Sequence, residues 1–213
     1  MFYETVKRIL DIIISFFCLL ILSPLILIVI VAIKVESPNG PIFADIPKRY
    51  GKGKSLFFMY KFRSMIPNAH NYMYNNPKLA EKYKQNNFKL SLDEDPRITK
   101  VGKFIRKTDI DEIPQFINVL IGNMSVVGPR ACNVDEIDKY LNDYPQSTDN
   151  IDIALSVKPG ITGIWQISGR NSISIPQRFE MDANYAKRKS VLFDLLIMFK
   201  TPLVILTRFG VYE

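Results

Sequence analysis

The feature that most restricts the fold is an apolar run from Ile12 to Ile33, which contains no charged residue and is broken near its midpoint by Ser23-Pro24. A helix of this length can cross a bilayer. Pro24 removes one backbone hydrogen bond and clashes with the preceding turn, so the sequence predicts a sharp kink there. No small-residue cleavage site follows the run, and we therefore do not expect a cleaved signal peptide.

Basic residues lie on both sides of this run. They are Lys7 and Arg8 before it, and Lys34, Lys48, Arg49, Lys52 and Lys54 after it. A straight span would place one basic flank outside the cell, against the positive-inside tendency. A kinked helix that enters and leaves by the same face would keep both flanks in the cytoplasm. Proline kinks also occur in ordinary spans, so the residues alone leave both topologies open, with a slight preference for re-entry.

The composition of the chain narrows the classes of partner and of site. The 213 residues are 47% hydrophobic and carry a net charge of +7, which predicts a compact domain with an anionic partner: nucleic acid, acidic lipid headgroups or a phosphorylated substrate. The only cysteines are Cys18 and Cys132, and His70 is the only histidine. These counts exclude a disulfide framework, a zinc site and any histidine-dependent triad.

The stretch 105–122 carries the most specific chemistry. We expect Asp111 and Glu112 just before or inside the first turn of a short helix, because Pro114 suits a first helical position and apolar residues then recur at helical spacing. Gly122 can end this helix. Acidic residues are also common at helix starts for structural reasons alone, so an isolated Asp-Glu pair would not indicate catalysis.

The surroundings of this pair point to phosphate. Arg106 lies upstream of it and Arg130 downstream, both in turn-like sequence. A helix N-terminus stabilises phosphate as well as carboxylate. Two carboxylates with two flanking guanidinium groups are what phosphoryl chemistry on a magnesium-bound diphosphate needs.

Further blocks extend the pattern over nearly the whole chain in a fixed order. They cover residues 61–65, 95–106, 111–115, 123–130 and 158–170. Together they resemble the bacterial sugar transferase family, the monotopic phosphoglycosyl transferases, which load a sugar phosphate onto polyprenol phosphate. In that family a Ser-Pro break makes a re-entrant membrane helix. The resemblance therefore implies a re-entrant hinge at Ser23 and Pro24.

The resemblance also implies a reaction. Asp111 would attack the β-phosphate of a UDP-sugar, release UMP and carry the sugar phosphate covalently until undecaprenyl (polyprenol) phosphate accepts it. Glu112 would help to hold Mg²⁺. The expected substrate-binding residues are Lys61, Arg63, Arg106, Arg130, Gln166, Arg170, Asp182 and Tyr185. Lys61 and Arg63 are two apart in a predicted strand and should share a face.

The predicted fold class is α+β. We expect a re-entrant anchor over residues 1–36, a cytoplasmic catalytic domain of helices and short strands over 37–190, and an interfacial helix with a tail over 191–213. Predicted strands lie at 42–43 and 56–60 on either side of a basic loop, and predicted helices at 134–144 and 178–185. The chain departs from the family's usual pattern at 44–47 and 188–190.

The implied setting is the cytoplasmic face of the bacterial inner membrane, at the first membrane step of surface polysaccharide or glycoconjugate synthesis. Expected partners are a UDP-sugar, polyprenol phosphate, membrane lipids and downstream glycosyltransferases. The block 163–166 resembles the hexose-type enzymes, a weak preference for galactose or glucose over acetamido sugars. The alternative is a non-enzymatic membrane-anchored protein that binds anionic headgroups. A nucleic-acid binder is disfavoured, because no recognition module is present.

Overall fold

The computed structural model describes residues 2–86, 90–169 and 172–207. Its described residues form two compact units. The larger unit lies within Met1–Ile21, Ile46–Tyr60 and Pro114–Tyr212, and the smaller unit within Leu22–Asp45 and Lys61–Ile113. The predicted division into anchor, catalytic domain and interfacial tail follows membrane topology instead, and it stays a prediction.

Helices dominate the described ranges, with a few short strands, and this confirms the α+β class. In chain order the elements are α1 (Phe2–Ile21), α2 (Ser23–Glu36), β1 (Arg49–Tyr50), β2 (Leu56–Phe57), α3 (Ala69–Tyr74), α4 (Pro77–Gln85), α5 (Lys100–Lys107), α6 (Gln115–Ile121), β3 (Ser125–Val127), α7 (Val134–Asp143), α8 (Thr148–Leu155), β4 (Gly160–Thr162), α9 (Ile164–Ser168), α10 (Ile175–Arg188) and α11 (Val191–Thr207). Short 3₁₀ turns lie at Lys52–Lys54, Ile110–Glu112 and Pro145–Ser147.

The predicted break in the apolar run is confirmed. The chain bends by 61° between α1 and α2. Pro24 lies in the first turn of α2, where its missing N–H leaves no helical hydrogen bond unmade. Within the described ranges no single helix is both long and apolar enough to cross a membrane, whereas the bent pair meets the criterion jointly by length and composition.

In the larger unit, α1 is fixed to a two-stranded parallel sheet. Strands β3 and β4 pair with Ser125 opposite Gly160. Gly160 is required for this approach, because a Cβ there would lie 2.0 Å from the backbone nitrogen of Gly128. The buried Asp11 of α1 accepts hydrogen bonds from the Ser125 hydroxyl and the Val126 N–H, both at 2.9 Å. The adjacent core includes Val119, Met124, Val127, Tyr185 and Ile197.

The smaller unit packs α2 against α5. Its core consists of Val29, Ile33, Phe62 and Ile105. Gly102 permits the close approach of α5 to the segment that follows Phe62, since a Cβ there would overlap the Ser64 carbonyl oxygen at 1.9 Å.

Several local predictions need correction. Residues 42–43 form no strand; Phe43 makes only an isolated bridge with Phe62. The strand predicted at 56–60 is limited to β2, which pairs with β1 inside the predicted basic loop. The helix predicted at 134–144 is confirmed as α7, and 178–185 lies within α10. Residues 191–207 form one continuous helix that contains Pro202, with Asp194 and Ile197 buried.

Candidate active site

Asp111 and Glu112 lie in the 3₁₀ turn Ile110–Glu112 of the smaller unit. Asp109 begins this turn in the left-handed region, with a φ of 55°, which aspartate tolerates better than most residues. The acidic pair thus precedes the helix α6, and Pro114 lies one residue before its start. Gly122 ends α6 with a φ of 92°, as predicted. Asp111 and Glu112 are therefore positioned by the 3₁₀ turn that contains them and not by the first turn of α6.

Lys61 binds this turn directly. Its Nζ donates to Glu112 Oε1 at 2.5 Å and lies 3.9 Å from Asp111 Oδ2. The neighbouring Phe62 N–H donates to the Asp111 carbonyl at 3.0 Å, which fixes the segment beside the turn. One ammonium group therefore contacts both carboxylates. The phosphate contact predicted for Lys61 from the sequence stays a prediction.

Arg106 places a second positive charge near Asp111. It lies in the last turn of α5, and its Nε donates to Ser64 Oγ at 2.7 Å. Burial raises the pKa of Asp111 to about 6; the charges of Lys61 and Arg106 oppose this rise and that of Glu112 adds to it. Asp111 is thus a carboxylate of increased basicity that is still mostly ionised at neutral pH.

Arg63 occupies a different environment from Lys61. Its buried guanidinium donates from Nε to the Pro41 carbonyl at 2.5 Å, and from the two Nη atoms to the Ser37 hydroxyl and carbonyl, each at 2.9 Å. The expectation that Lys61 and Arg63 share a face is therefore wrong, because the chain there is not a regular strand. A phosphate contact by Arg63 would require these loop bonds to break.

Three other predicted residues, Arg130, Gln166 and Asp182, belong to the larger unit, which contains an arginine-rich cluster. The Arg130 guanidinium stacks 5.4 Å from the Trp165 ring, and that of Arg178 lies 5.7 Å from the same ring. Arg178 also lies 3.7 Å from Glu136 and donates to Cys132 Sγ at 3.5 Å. Two guanidinium groups thus face one indole.

Asp182 lies at the centre of this cluster and is only 1% exposed. It accepts a hydrogen bond from the Arg130 N–H, and burial raises its pKa to about 7 against the opposing charges of Arg178 and Arg130. The buried polar atoms without a hydrogen-bond partner among the described residues include Asp182 Oδ1, Gln166 Oε1, Trp165 Nε1 and Arg178 Nε. Native proteins usually satisfy such atoms with water or a ligand. The cluster is therefore a second candidate for binding a polar group.

Tyr185 is not part of this cluster. Its hydroxyl donates to Asp194 Oδ1 at 2.7 Å and lies 3.1 Å from the Val127 carbonyl. Lys7 bonds the other Asp194 oxygen at 2.8 Å, so this buried network joins α1, α10 and α11. Arg170 lies outside the described residues.

Sequence reasoning assigned no role to Arg178 or Glu136. The spacing of Arg178 and Asp182, four apart on one helix, was a usable signal for the first. Glu136 gave no such signal, because its arginine partners are distant in the sequence: Arg49 at 3.6 Å and Arg178 at 3.7 Å.

The chain matches one protein family and several known proteins. The family model described as "Bacterial sugar transferase" matches residues 2–208. The chain is 42% identical over 209 residues to the undecaprenyl-phosphate galactose phosphotransferase of Salmonella typhimurium, an alignment that covers 97% of this chain and 41% of that protein. It is 38% identical to the exopolysaccharide production protein ExoY of Sinorhizobium fredii, covering 95% of this chain and 86% of that protein.

A third relative differs in its named sugar. The UDP-N-acetylgalactosamine-undecaprenyl-phosphate N-acetylgalactosaminephosphotransferase of Aeromonas hydrophila is 38% identical, over 98% of this chain and 45% of that protein. The chain thus spans less than half the length of two of these relatives and most of the third. The family match covers both units and all the site residues discussed above. The chain belongs to the bacterial sugar transferase family.

Proposed function

We propose that this protein transfers a sugar 1-phosphate from a UDP-sugar to undecaprenyl phosphate, with Asp111 as the nucleophile. The observation that carries the proposal is the turn that presents Asp111 and Glu112 together, with Lys61 bound to the pair and Arg106 behind it. Family membership and the names of the relatives, which include undecaprenyl-phosphate sugar phosphotransferases, support the substrate classes.

In the first step a carboxylate oxygen of Asp111 attacks the β-phosphorus of the UDP-sugar. The bond from that phosphorus to the bridging oxygen breaks, so UMP leaves and the sugar phosphate remains on Asp111 as an acyl phosphate. The raised pKa of Asp111 makes this carboxylate a better nucleophile than an ordinary surface aspartate. The positive charges of Lys61 and Arg106 reduce the repulsion between carboxylate and phosphate.

In the second step an oxygen of undecaprenyl phosphate attacks the same phosphorus. The bond between phosphorus and Asp111 breaks, which restores the free carboxylate and gives the lipid-linked sugar diphosphate. The reaction is therefore ping-pong, and each half can be observed by itself.

The acidic pair also fits Mg²⁺. No group of three or more histidine, cysteine, aspartate or glutamate side chains that could hold a metal occurs in the part of the chain that the structure describes. Mg²⁺ usually takes only one or two carboxylates and completes its shell with water and substrate phosphate. Glu112, with Asp111 beside it, would supply such hard oxygen ligands. When bound, the ion would offset the negative charge of the diphosphate.

We further propose that the protein lies on the cytoplasmic face of the inner membrane with α1 and α2 as a re-entrant anchor. Exposed apolar side chains on both helices support this, among them Phe16 and Leu20 in α1 and Leu27 and Val31 in α2. Helix α11 adds an exposed apolar stripe at Leu192, Leu196, Phe199, Leu203 and Leu206, as expected of an interfacial helix.

Membrane topology is tested by cysteine labelling in a background without Cys18 and Cys132. Single cysteines replace Thr5 and Asn39, which flank the apolar run and are exposed. We expect a membrane-impermeant thiol reagent to label both in inside-out vesicles and neither in intact spheroplasts. Labelling of either position from the periplasmic side would contradict re-entry. Pro24→Ala should favour a full span, because alanine at this position has the N–H that a continuous helix from α1 into α2 requires, whereas proline has none.

The nucleophile is tested by trapping. Wild-type protein is incubated with Mg²⁺ and a UDP-sugar labelled in the β-phosphate, without lipid acceptor, and digested for peptide mapping. We expect label on the peptide that contains Asp111, with stoichiometric release of UMP. Asp111→Asn should show neither.

Asp109→Asn is the matched control, since asparagine also tolerates the left-handed conformation at that position. It should still trap label. Label on another residue would remove Asp111 from the mechanism. A folded wild-type protein that releases no UMP from any UDP-sugar would favour the non-enzymatic alternative. The same assay with a panel of UDP-sugars tests the preference for galactose or glucose.

A further inference from the structure

A basic pocket lies in the larger unit at the start of α1. Its wall includes five cationic side chains: Lys7, Arg8, Lys52, Lys158 and Lys189. The space open to water-sized groups is about 50 Å³, several times what one water needs. The pocket can therefore hold a group as small as a phosphate.

Three of these cations are already bound to protein groups. Lys7 pairs with Asp194 at 2.8 Å, and Lys189 pairs with Glu4 at 2.6 Å. Arg8 donates to the carbonyl groups of residues 119 and 120 at the end of α6, at 2.6 and 2.7 Å. These contacts hold α1 in the unit and leave little of the three charges for a ligand.

Lys52 and Lys158 differ from these three. Neither ammonium group has a hydrogen-bond or ion-pair partner among the residues that the structure describes. Lys158 is partly buried; its burial and the positive charges of Arg8 and Lys52 lower the pKa of its ammonium group. An anion between Lys52 and Lys158 would relieve this repulsion and satisfy both groups.

The surroundings of the pocket indicate where such an anion comes from. Helix α1 begins at the pocket wall, and α11 begins two residues after Lys189. Further along α1, the side chains of Ile9, Ile13 and Phe16 are exposed. Helix α11 exposes the apolar stripe described above, from Leu192 to Leu206. A polar pocket at the start of two helices with exposed apolar side chains matches a phospholipid, whose headgroup and acyl chains differ in the same way.

We propose that this pocket binds the phosphate headgroup of an anionic membrane phospholipid through Lys52 and Lys158. Such a site would fix the depth of the larger unit at the membrane surface. A phospholipid headgroup and free phosphate present the same anionic oxygens to the two lysines. The exposed apolar residues next to the pocket favour the lipid. The proposal concerns lipid binding alone and stands independently of the reaction proposed for Asp111.

The test is native mass spectrometry of the full chain in detergent, titrated separately with phosphatidylglycerol, phosphatidylcholine and inorganic phosphate. We expect phosphatidylglycerol to bind at least about tenfold more tightly than phosphatidylcholine, and inorganic phosphate to compete only weakly. Equal binding of the two lipids would overturn the proposal. Displacement of phosphatidylglycerol by equimolar phosphate would also overturn it, because the site would then be one for soluble anions.

Variants locate the site. Lys52→Ala with Lys158→Gln should abolish the preference for phosphatidylglycerol, a loss of about tenfold or more. Lys54→Ala is the matched control, since Lys54 pairs with Asp152 at 2.9 Å and does not line the pocket. It should change the affinity less than about twofold. A double variant that keeps the preference would overturn the assignment, and the single Lys52→Ala, at an exposed position, decides the question should the double variant not fold.

Discussion

Two buried aspartates, one in each unit, have raised pKa values but different surroundings. Asp111 is 8% exposed, lies in a short turn and adjoins Glu112, whose side chain is 33% exposed. Asp182 is 1% exposed, lies in the middle of α10 and accepts the N–H of Arg130. Burial makes both carboxylates more basic, but Asp111 is more exposed than Asp182 and adjoins the partly exposed side chain of Glu112. A raised pKa therefore identifies candidates, and we expect solvent access to distinguish the nucleophile from the fully buried carboxylate.

The largest expected effect is the loss of turnover on replacing Asp111. Asp111→Asn should lower turnover by at least about 10³-fold, because an amide cannot form the acyl phosphate. Asp182→Asn should lower it far less, because the asparagine side-chain oxygen can still accept the Arg130 N–H. Both variants are assayed as UMP release at saturating UDP-sugar, with circular dichroism as the control for folding. If a folded Asp182→Asn protein lost more turnover than Asp111→Asn, Asp182 would be the better candidate for the nucleophile.

The second prediction concerns the residue beside the nucleophile. Glu112→Gln keeps the size of the side chain but removes one negative oxygen, so it should weaken both Mg²⁺ binding and the contact with Lys61. We expect turnover to fall by about 10²-fold at low Mg²⁺ and to recover in part at high Mg²⁺. The measurement is a Mg²⁺ titration of UMP release. An unchanged Mg²⁺ dependence would show that Glu112 does not contribute to the metal site.

A contrast between two arginines of the smaller unit gives the third prediction. Arg63→Gln breaks three hydrogen bonds to the loop at Ser37 and Pro41 and leaves their acceptors unpaired, which should cost about 2–4 kcal/mol of unfolding free energy. Arg106→Gln should instead reduce turnover with a smaller change in melting temperature. Thermal unfolding and the KM for the UDP-sugar are measured for both. A raised KM at unchanged stability in Arg63→Gln would support the substrate-binding role predicted from the sequence.

The sequence predicted those features that depend on neighbouring residues. Pro24 requires a helix break, Gly122 ends a helix, and the adjacent Asp111 and Glu112 must share a turn. The arginine-rich cluster of the larger unit could not be predicted in this way, because Arg130, Trp165 and Arg178 come from distant parts of the chain.

Side-chain direction was also beyond sequence reasoning. Lys61 and Arg63 diverge because an isolated bridge, and no strand, spans Phe62. Tyr185 was predicted beside Asp182 at a substrate site, but its hydroxyl bonds Asp194 in α11. Helical periodicity predicts which residues lie on the same face of a helix. It does not predict which part of the protein packs against that face.

The last prediction concerns the pH dependence of stability. An aspartate in the unfolded chain titrates near 3.9, whereas the folded pKa is about 6 for Asp111 and about 7 for Asp182. The folded protein therefore holds these protons more tightly, so each carboxylate lowers stability as the pH rises from about 4 to its folded pKa. The penalty is fully present above that value. Replacing either residue by asparagine removes it, and at about 1.4 kcal/mol per pKa unit the penalty is roughly 3 kcal/mol for Asp111 and roughly 4 kcal/mol for Asp182.

Thermal unfolding of wild type, Asp111→Asn and Asp182→Asn between pH 4 and pH 8 measures this effect. Both variants should melt above wild type at pH 8 and should lose that advantage at pH 4. The advantage of Asp111→Asn should be complete by about pH 6 and that of Asp182→Asn only by about pH 7, following the folded pKa values. In the wild-type enzyme, kcat/KM should rise through about pH 6 as Asp111 ionises. A pH-independent difference in melting temperature would mean that burial does not set the pKa of either carboxylate, and the comparison between the two aspartates would then rest on access alone.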